Sequence, residues 1–332
     1  MAQVETIAKF GIIGTGRVAQ LHAEAMARIE GAKLIGAWNR TPETCATFCK
    51  TYGGKQFKNI DDLLADPNIN AVIVATISRT HYGHARQALL AGKHVMLEKP
   101  IAVTVEEIQD LKAISEQTGK ICFPSHNYIY SEQMRSLKYH FDRGALGKLL
   151  SYWCLFNNQH PPSFGDPDVV MRELMIHHVY SMLHFAGRPR SVTATAGNVH
   201  FSDPHSPDQI MITCQFENGA LANLWGSFAI NDDRVRDPWS VVFKVMGSAG
   251  AAIVSWDAIK CGAEPEPLWD DMAYRDSFMH AQRFFTEECL GRGIAPLSML
   301  DDADDALRIL NAARQSIKEG RRIDVVYGMS KN

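Results

Sequence analysis

Residues 10–19 read Phe-Gly-Ile-Ile-Gly-Thr-Gly-Arg-Val-Ala, an apolar strand that runs directly into a glycine-rich turn. Gly14, Gly16 and Ala19 form the spacing G-x-G-x-x-A between that strand and a helix with apolar residues at helical intervals. The first glycine permits a tight turn, the second lets the backbone approach a pyrophosphate, and the small third residue lets the helix pack closely on the strand. The stretch therefore predicts a dinucleotide-binding domain.

The end of the second predicted strand bears on the choice of dinucleotide. A carboxylate at this position accepts hydrogen bonds from the ribose diol of NAD. Here the strand ends at Asn39, and the next residue is Arg40, whose guanidinium suits the 2′-phosphate of NADP. We therefore expect NADP or NAD as cofactor, with NADP preferred, although Arg40 in a solvated turn is the alternative.

Residues 93–100, Lys-His-Val-Met-Leu-Glu-Lys-Pro, predict a short buried strand that Pro100 ends. Ligands of open α/β sheets bind outside the carboxyl ends of the strands, where Lys99 lies. A lysine in such a crevice can take part in proton chemistry. Taken alone, the tripeptide is equally compatible with a surface lysine in a loop.

Strands alternate with helices as far as about residue 125, which predicts a doubly wound parallel sheet with right-handed crossovers. Later strands follow one another without crossover helices, which predicts a largely antiparallel sheet backed by helices. We expect an α/β dinucleotide-binding domain at residues 1–125 and an α+β substrate-binding and oligomerisation domain at residues 126–332. A helix is predicted from Met171 to Phe185, after a loop at residues 157–168 that contains His160.

Composition excludes several classes of protein. The 332 residues carry a net charge of −3 and no basic cluster interleaved with aromatic residues, so nucleic acid is not an expected partner. The seven scattered cysteines lack the spacing of metal ligands and indicate reduced thiols, and no metal site is expected. Without a signal sequence or a membrane-length apolar run, we expect a cytoplasmic protein with no membrane partner.

Together these features resemble the glucose-fructose oxidoreductase/inositol dehydrogenase/MocA (Gfo/Idh/MocA) family. The glycine turn, the run from Gly92 into Glu98-Lys99-Pro100, Ile176-His177 and the turn at residues 247–250 carry the resemblance. It implies a two-domain NAD(P)-dependent enzyme that acts on a sugar, a sugar derivative or a cyclitol. It also implies an open sheet in the second domain, used to form a homodimer or homotetramer.

The resemblance implies the catalytic residues. Lys99 would hold the substrate oxygen, and His177 would take the hydroxyl proton, since an imidazole suits proton transfer near neutral pH. Glu173 stands where the family usually has Asp and would lie one turn before His177 on the same helix face. From the residues alone, a buried core histidine is the simpler interpretation of His177.

Two groups of binding residues complete the predicted site. Cofactor contacts are expected at Gly14, Gly16, Arg17, Val18, Asn39, Arg40, Thr76, His81, Glu98 and Lys99. Substrate contacts are expected at Lys99, His126, Asn127, Glu173 and His177.

The chain departs from the family pattern on the substrate side. Ile77 replaces the usual proline after Thr76, and residues 167–172 replace a glycine-rich lead-in. The substrate therefore stays open, and two other functions remain alternatives. One is a redox-neutral NAD-dependent glycosidase on the same fold, and the other is a non-catalytic regulator that senses sugar and dinucleotide.

Overall fold

The computed structural model describes residues 7–159, 167–201, 206–230, 239–255 and 269–328. The loop expected at residues 157–168 is thus described only at its ends, and His160 lies outside the described residues. The chain divides into two compact units, the first comprising Met1–Ser131 with Arg275–Asp304 and the second Glu132–Tyr274 with Asp305–Asn332. The expected domain boundary between residues 125 and 126 stays a prediction.

A six-stranded parallel sheet forms the centre of the first unit. Its strands are β1 (Ala8–Ile13), β2 (Ala32–Trp38), β3 (Lys55–Gln56), β4 (Ala71–Val74), β5 (His94–Leu97) and β6 (Cys122–Pro124). They pair in the order β3-β2-β1-β4-β5-β6, and every pair is parallel. The strand order reverses between β1 and β4, which is the switch point of a doubly wound sheet. The predicted fold of this part is confirmed.

Helices connect the strands of the parallel sheet. They are α1 (Arg17–Met26), α2 (Pro42–Tyr52), α3 (Ile60–Ala65), α4 (His81–Leu90) and α5 (Val105–Thr118). Every residue of β4 is buried, as expected for a central strand with helices on both faces of the sheet. Thr104 begins α5 with a capping box, in which its side chain accepts from the Glu107 N–H and the Glu107 carboxylate accepts from the Thr104 N–H.

A seven-stranded sheet forms the second unit. Its strands are β7 (Leu149–Asn158), β8 (Ser191–Gly197), β9 (Gln209–Gln215), β10 (Leu221–Ser227), β11 (Trp239–Gly247), β12 (Gly250–Ser255) and β13 (Ile323–Asp324). They pair in the order β12-β11-β7-β10-β9-β8-β13. The pair β7–β10 is parallel and the others are antiparallel, so the prediction of a largely antiparallel sheet is confirmed.

Two helical segments of the second unit come before β8. The first is α6 (Glu132–Asp142), and the second is α7 (Ile176–Ala186). A π-helical turn at Met171–Met175 comes directly before α7. The helix predicted from Met171 to Phe185 is present, but its first five residues are π-helical, which was not predicted. A side chain at Gly226 of β10 would lie 2.9 Å from the Met175 sulfur, so the glycine lets this wider turn pack against the sheet.

The two faces of the second sheet differ. Tyr152, Cys154 and Phe156 alternate along β7 on the buried face. The opposite face carries Val242, Leu155, Trp225 and Met211 side by side on four neighbouring strands, all of them partly or largely exposed. Trp153 on the same face is 53% exposed. The outer face of the sheet, opposite the buried one, therefore carries an apolar row, and beside it Trp153 lies between Lys244 and Asn223.

The helical segment before α9 was missed by the sequence analysis. It consists of α8 (Trp269–Arg283) and a π-helical stretch at Phe284–Leu290, and α9 (Leu300–Glu319) follows. Within the first unit, the ring of Phe285 lies 6.1 Å from Phe10 and 5.1 Å from Phe123. Polar residues such as Gln282 and Thr286 are also buried here, which obscures the apolar period that predicts a helix.

Some features are absent from the described parts of the chain. No described helix is long and apolar enough to cross a membrane. Among the same residues, no cluster of three or more His, Cys, Asp or Glu side chains is arranged to hold a metal ion. The six described cysteines are free thiols.

Candidate functional site

The carboxyl ends of five parallel strands lie in register in the first unit. Trp38, Ile13, Val74, Leu97 and Pro124 are paired side by side across β2, β1, β4, β5 and β6. The next residue on each strand therefore lies at one edge of the sheet. Along this edge are Asn39, Gly14, Ala75, Glu98 and Ser125, and three of them, Asn39, Gly14 and Glu98, are predicted cofactor contacts.

Gly14 forms the turn that leaves β1. Its φ of +93° is left-handed, and a Cβ there would lie 2.5 Å from the carbonyl oxygen of Ala75 and 2.9 Å from Thr76. Its N–H donates to the carbonyl of Trp38 at 2.8 Å. Only glycine fits a backbone that passes so close to the end of β4.

The N-terminus of α1 is open to an anion. Gly16 is the N-cap, no side chain caps the helix, and its first turn holds no acidic residue. A Cβ at Gly16 would meet nothing within 4 Å, and the buried hydroxyl of Thr15 has no hydrogen-bond partner among the described residues. Free N–H groups from Arg17 onward, a positive helix end and an unused hydroxyl fit the pyrophosphate of a dinucleotide.

Asn39 and Arg40 follow β2 at the same edge. The Asn39 amide nitrogen donates to the Thr41 carbonyl at 3.2 Å and to the Thr44 hydroxyl at 2.5 Å. Thr44 uses its own proton on the Thr41 carbonyl at 2.8 Å, which fixes the direction of the amide. Asn39 therefore presents its oxygen, an acceptor, to an approaching ligand, and the Arg40 side chain is exposed.

His81 joins the segments that follow β4 and β5. Its Nδ1 lies 2.7 Å from the carbonyl oxygen of Pro100, and its Nε2 lies 3.0 Å from that of Thr76. The Thr80 hydroxyl donates to the Thr76 hydroxyl at 2.8 Å. The His81 ring is buried and contacts both carbonyl oxygens, so it links the backbone at Thr76 to the backbone at Pro100. Its predicted contact with the cofactor stays a prediction.

Glu98 points into the protein. One carboxylate oxygen lies 2.8 Å from His22 Nε2 and accepts from the Ser125 hydroxyl at 2.7 Å, and the other accepts from the Lys99 N–H at 3.2 Å. Burial by itself raises the pKa of the Glu98 carboxyl. The hydrogen bond and charge of His22, the Ser125 hydroxyl and the charge of Lys99 outweigh burial, so this pKa is lowered.

His126 and Asn127 follow β6 and are buried. The Nδ1 of His126 lies 2.7 Å from the Ser298 hydroxyl, and the Asn127 amide donates to the Ser277 hydroxyl at 2.7 Å. Burial lowers the pKa of His126 to about 3, against the opposing charge of Glu98. These contacts tie the end of β6 to residues 275–304, and the expected substrate contacts stay predictions.

In the second unit, His177 and Glu173 lie in different surroundings. His177 begins α7 and is buried, with Nδ1 2.6 Å from the Tyr180 hydroxyl. Glu173 lies in the π-helical turn, with its side chain 41% exposed and 3.1 Å from Arg172 Nε. The two residues are four positions apart in one continuous helical stretch, so the expectation that Glu173 lies one turn before His177 on the same face stays a prediction.

His178, next to His177, has a structural role. Its Nε2–H donates to the Trp225 carbonyl at 2.9 Å, so its Nδ1 accepts from the Cys154 thiol at 2.8 Å. Burial lowers the pKa of His178 to about 4, although the hydrogen bond to Trp225 acts in the opposite direction. The neutral ring therefore joins α7 to two strands of the sheet.

Sequence reasoning missed three polar residues of these sites: His22, Ser125 and Tyr180. A polar residue on the apolar side of α1 was the available signal for His22, and the spacing of three residues from His177 was the signal for Tyr180. For Ser125 the sequence holds no comparable signal.

The site has the parts of a dinucleotide-dependent oxidoreductase, and family comparison agrees. A profile described as "Oxidoreductase family, NAD-binding Rossmann fold" matches residues 8–126, and one described as "GFO/IDH/MocA C-terminal domain" matches residues 134–253. The chain belongs to the Gfo/Idh/MocA family of oxidoreductases. This confirms the predicted family and the predicted class of enzyme.

Three individual relatives of this Gfo/Idh/MocA chain are 22–37% identical to it. Glucose-6-phosphate 3-dehydrogenase of Bacillus subtilis (strain 168) is 37% identical over 143 residues, which are 43% of this chain and 40% of that protein. Inositol 2-dehydrogenase of Rhizobium meliloti (strain 1021) is 26% identical over 96% of this chain and 99% of that protein. The crystal structure of GenD2 from gentamicin A biosynthesis, in complex with NAD, covers 98% of each chain with a TM-score of 0.86 at 22% identity. This last likeness concerns the fold alone.

Proposed function

We propose that this chain transfers a hydride between a nicotinamide dinucleotide and a secondary alcohol or ketone of a sugar, a sugar derivative or a cyclitol. The observation that carries the proposal is the register of the strand ends, which puts Glu98-Lys99 and the Gly14 turn at one edge of the parallel sheet. The names of the relatives, a sugar-phosphate dehydrogenase and an inositol dehydrogenase, support the substrate class.

Lys99, His177 and Glu173 have different roles in the proposed reaction. When bound, the nicotinamide supplies the carbon that accepts the hydride with its electron pair. Lys99 donates a hydrogen bond to the reacting oxygen and stabilises its developing negative charge. His177 takes the hydroxyl proton as the carbonyl forms, and Glu173 accepts from a second substrate hydroxyl. In the reverse direction the same groups return the proton to the oxygen.

We propose that NADP is the preferred cofactor and that NAD is also accepted. The exposed Arg40 guanidinium can bind a 2′-phosphate through two parallel hydrogen bonds. The Asn39 oxygen can accept from a ribose hydroxyl, and the amide does not repel phosphate as a carboxylate would. Discrimination between the two cofactors therefore depends on Arg40.

We propose that the chain forms a homodimer or homotetramer through the outer face of the second sheet. The row from Val242 to Met211 and the half-exposed Trp153 form an apolar face of the kind that proteins bury against a partner. A second copy of the chain would cover it.

A screen tests the proposed activity. Monosaccharides, sugar phosphates and cyclitols are each incubated with NADP and with NAD, and the absorbance of reduced cofactor is followed. We expect net reduction with at least one compound. Binding of a dinucleotide without reduction by any compound would favour the regulator. Release of free sugar from a glycoside without net reduction would favour the glycosidase.

A further inference from the structure

Three segments that are distant in sequence meet at the Glu98 carboxylate. His22 comes from α1, Ser125 follows β6, and Glu98 itself follows β5. His22 and Ser125 contact one oxygen, at 2.8 and 2.7 Å, and the Lys99 N–H contacts the other, at 3.2 Å. Both oxygens of the carboxylate are thus engaged, and Glu98 is only 6% exposed.

Each donor to Glu98 is itself held in place. The His22 ring is fully buried and packs edge-on against Phe278, with ring centroids 5.1 Å apart. The Ser125 N–H donates to the Leu97 carbonyl at 2.8 Å, so the pairing of β6 with β5 fixes the position of its hydroxyl. The carboxylate therefore has one well-defined location in the first unit.

A buried carboxylate costs free energy unless charged or polar groups satisfy it. Here His22 and Ser125 satisfy one carboxylate oxygen, and an apolar residue at this position would leave both of these buried groups without that partner. The other oxygen accepts a hydrogen bond from the Lys99 N–H, which the contacts of His22 and Ser125 with the first oxygen hold in reach. That bond orients the main chain at the residue whose side chain carries the proposed chemistry.

We propose that His22 and Ser125 are positioning residues for Lys99 and act on it through the Glu98 carboxylate. The proposal rests on the proposed function, in which Lys99 contacts the reacting oxygen. A catalytic group misplaced by about 1 Å can lose on the order of a hundredfold in rate. Loosening Glu98 should therefore reduce kcat and leave dinucleotide binding nearly unchanged.

Matched variants separate positioning from general loss of packing. Ser125→Ala removes one donor with little change in volume, and Ser115→Ala is its control, because the Ser115 hydroxyl donates to the Lys120 carbonyl at the end of α5. His22→Leu removes the other donor. His22→Gln restores it, because the glutamine amide nitrogen reaches about as far as Nε2.

Two readouts are measured on each variant. The first is kcat and KM for a compound found in the activity screen. The second is hydrogen exchange at the Lys99 amide, followed by mass spectrometry without substrate. We expect kcat to fall about tenfold in Ser125→Ala and about a hundredfold in His22→Leu, with KM for the dinucleotide changed less than about twofold. Hydrogen exchange at the Lys99 amide should be faster in Ser125→Ala and in His22→Leu than in the wild type. His22→Gln should recover most of the wild-type kcat.

Unchanged exchange at Lys99 in Ser125→Ala and His22→Leu would overturn the proposal. So would faster exchange with an unchanged kcat, or equal effects of Ser125→Ala and Ser115→Ala. If the wild type reduces neither dinucleotide with any compound, the proposed function fails, whereas faster exchange would still support the contact through Glu98.

Discussion

The Nδ1 atom of His177 lies 2.6 Å from the Tyr180 hydroxyl, within the first turn of α7. This contact holds the imidazole at a fixed angle on the helix. When Nδ1–H donates to the Tyr180 oxygen, the lone pair of the ring is on Nε2, the form that a general base requires. In that tautomer, Tyr180 orients the His177 ring with Nε2 free to take a proton.

Replacing these two residues should reduce turnover by different amounts. His177→Asn removes the proposed base, so kcat should fall ~10²–10⁴-fold. Tyr180→Phe removes one hydrogen bond to the ring, so kcat/KM should fall about tenfold. Steady-state kinetics measures both, with His140→Asn on the exposed side of α6 as the control. Full activity of His177→Asn would remove His177 from the catalytic residues.

His178 should make the stability of the protein depend on pH. Burial lowers its pKa in the folded protein to about 4, compared with a reference value of 6.5. The unfolded chain therefore binds the proton at higher pH. The stability that the neutral ring contributes is complete above about pH 6.5 and is lost as pH falls from there toward about pH 4.

Replacing His178 isolates this contribution. Relative to about pH 7, the free energy of unfolding at about pH 5 should fall about 2 kcal/mol further in the wild type than in His178→Gln. Denaturant titration at each pH measures it, with His140→Gln as the exposed control. Equal pH dependence of wild type and His178→Gln would show that this ring is not held neutral.

Arg40 should determine the cofactor preference. Since a charge-assisted hydrogen bond contributes ~1.5–3 kcal/mol, Arg40→Ala should lower the ratio of kcat/KM for NADP to kcat/KM for NAD about ten- to a hundredfold. Lys50→Ala on the exposed side of α2 is the control, because it removes a positive charge on the helix that follows Arg40. The proposed NADP preference would be contradicted if the wild type has a higher kcat/KM with NAD than with NADP. It would also be contradicted if Arg40→Ala does not change the ratio of the two kcat/KM values.

A charge on the outer face of the second sheet should separate the subunits. Trp153→Lys puts an ammonium into the proposed interface, and light scattering at micromolar concentration should show a monomer where the wild type is a dimer or tetramer. Tyr139→Lys changes an equally exposed aromatic residue on α6 and should leave the assembly intact. A monomeric wild type would count against the interface.

Local patterns in the sequence predicted most of the fold. Except for the short edge strand β3, the strands of the parallel sheet are largely apolar and alternate with helices, and this alternation needs no knowledge of distant contacts. The pairing of β7 with β10 was not predictable in the same way, because it joins residues about seventy positions apart. The π-helical turn at Met171 was missed because α- and π-helical turns share composition and differ in packing against Gly226.

The candidate site was predictable only where a motif is continuous. Gly14, Gly16 and Lys99 stand in short motifs, so their positions could be stated from the sequence. The Glu98 contacts come from residues 22 and 125, and only the folded sheet brings these together. Hydrogen bonds between remote side chains leave no periodic signal in the sequence.

Lys99→Met tests the proposed role of Lys99 in hydride transfer, on which the proposed function depends. Wild type and variant are compared in the same panel of sugars, sugar phosphates and cyclitols, and dinucleotide binding is measured in parallel. We expect the variant to bind the dinucleotide as the wild type does but to reduce it ~10²–10³-fold more slowly. Near-normal reduction by Lys99→Met, with the same substrate, would contradict the assignment of Lys99 and the site built around it.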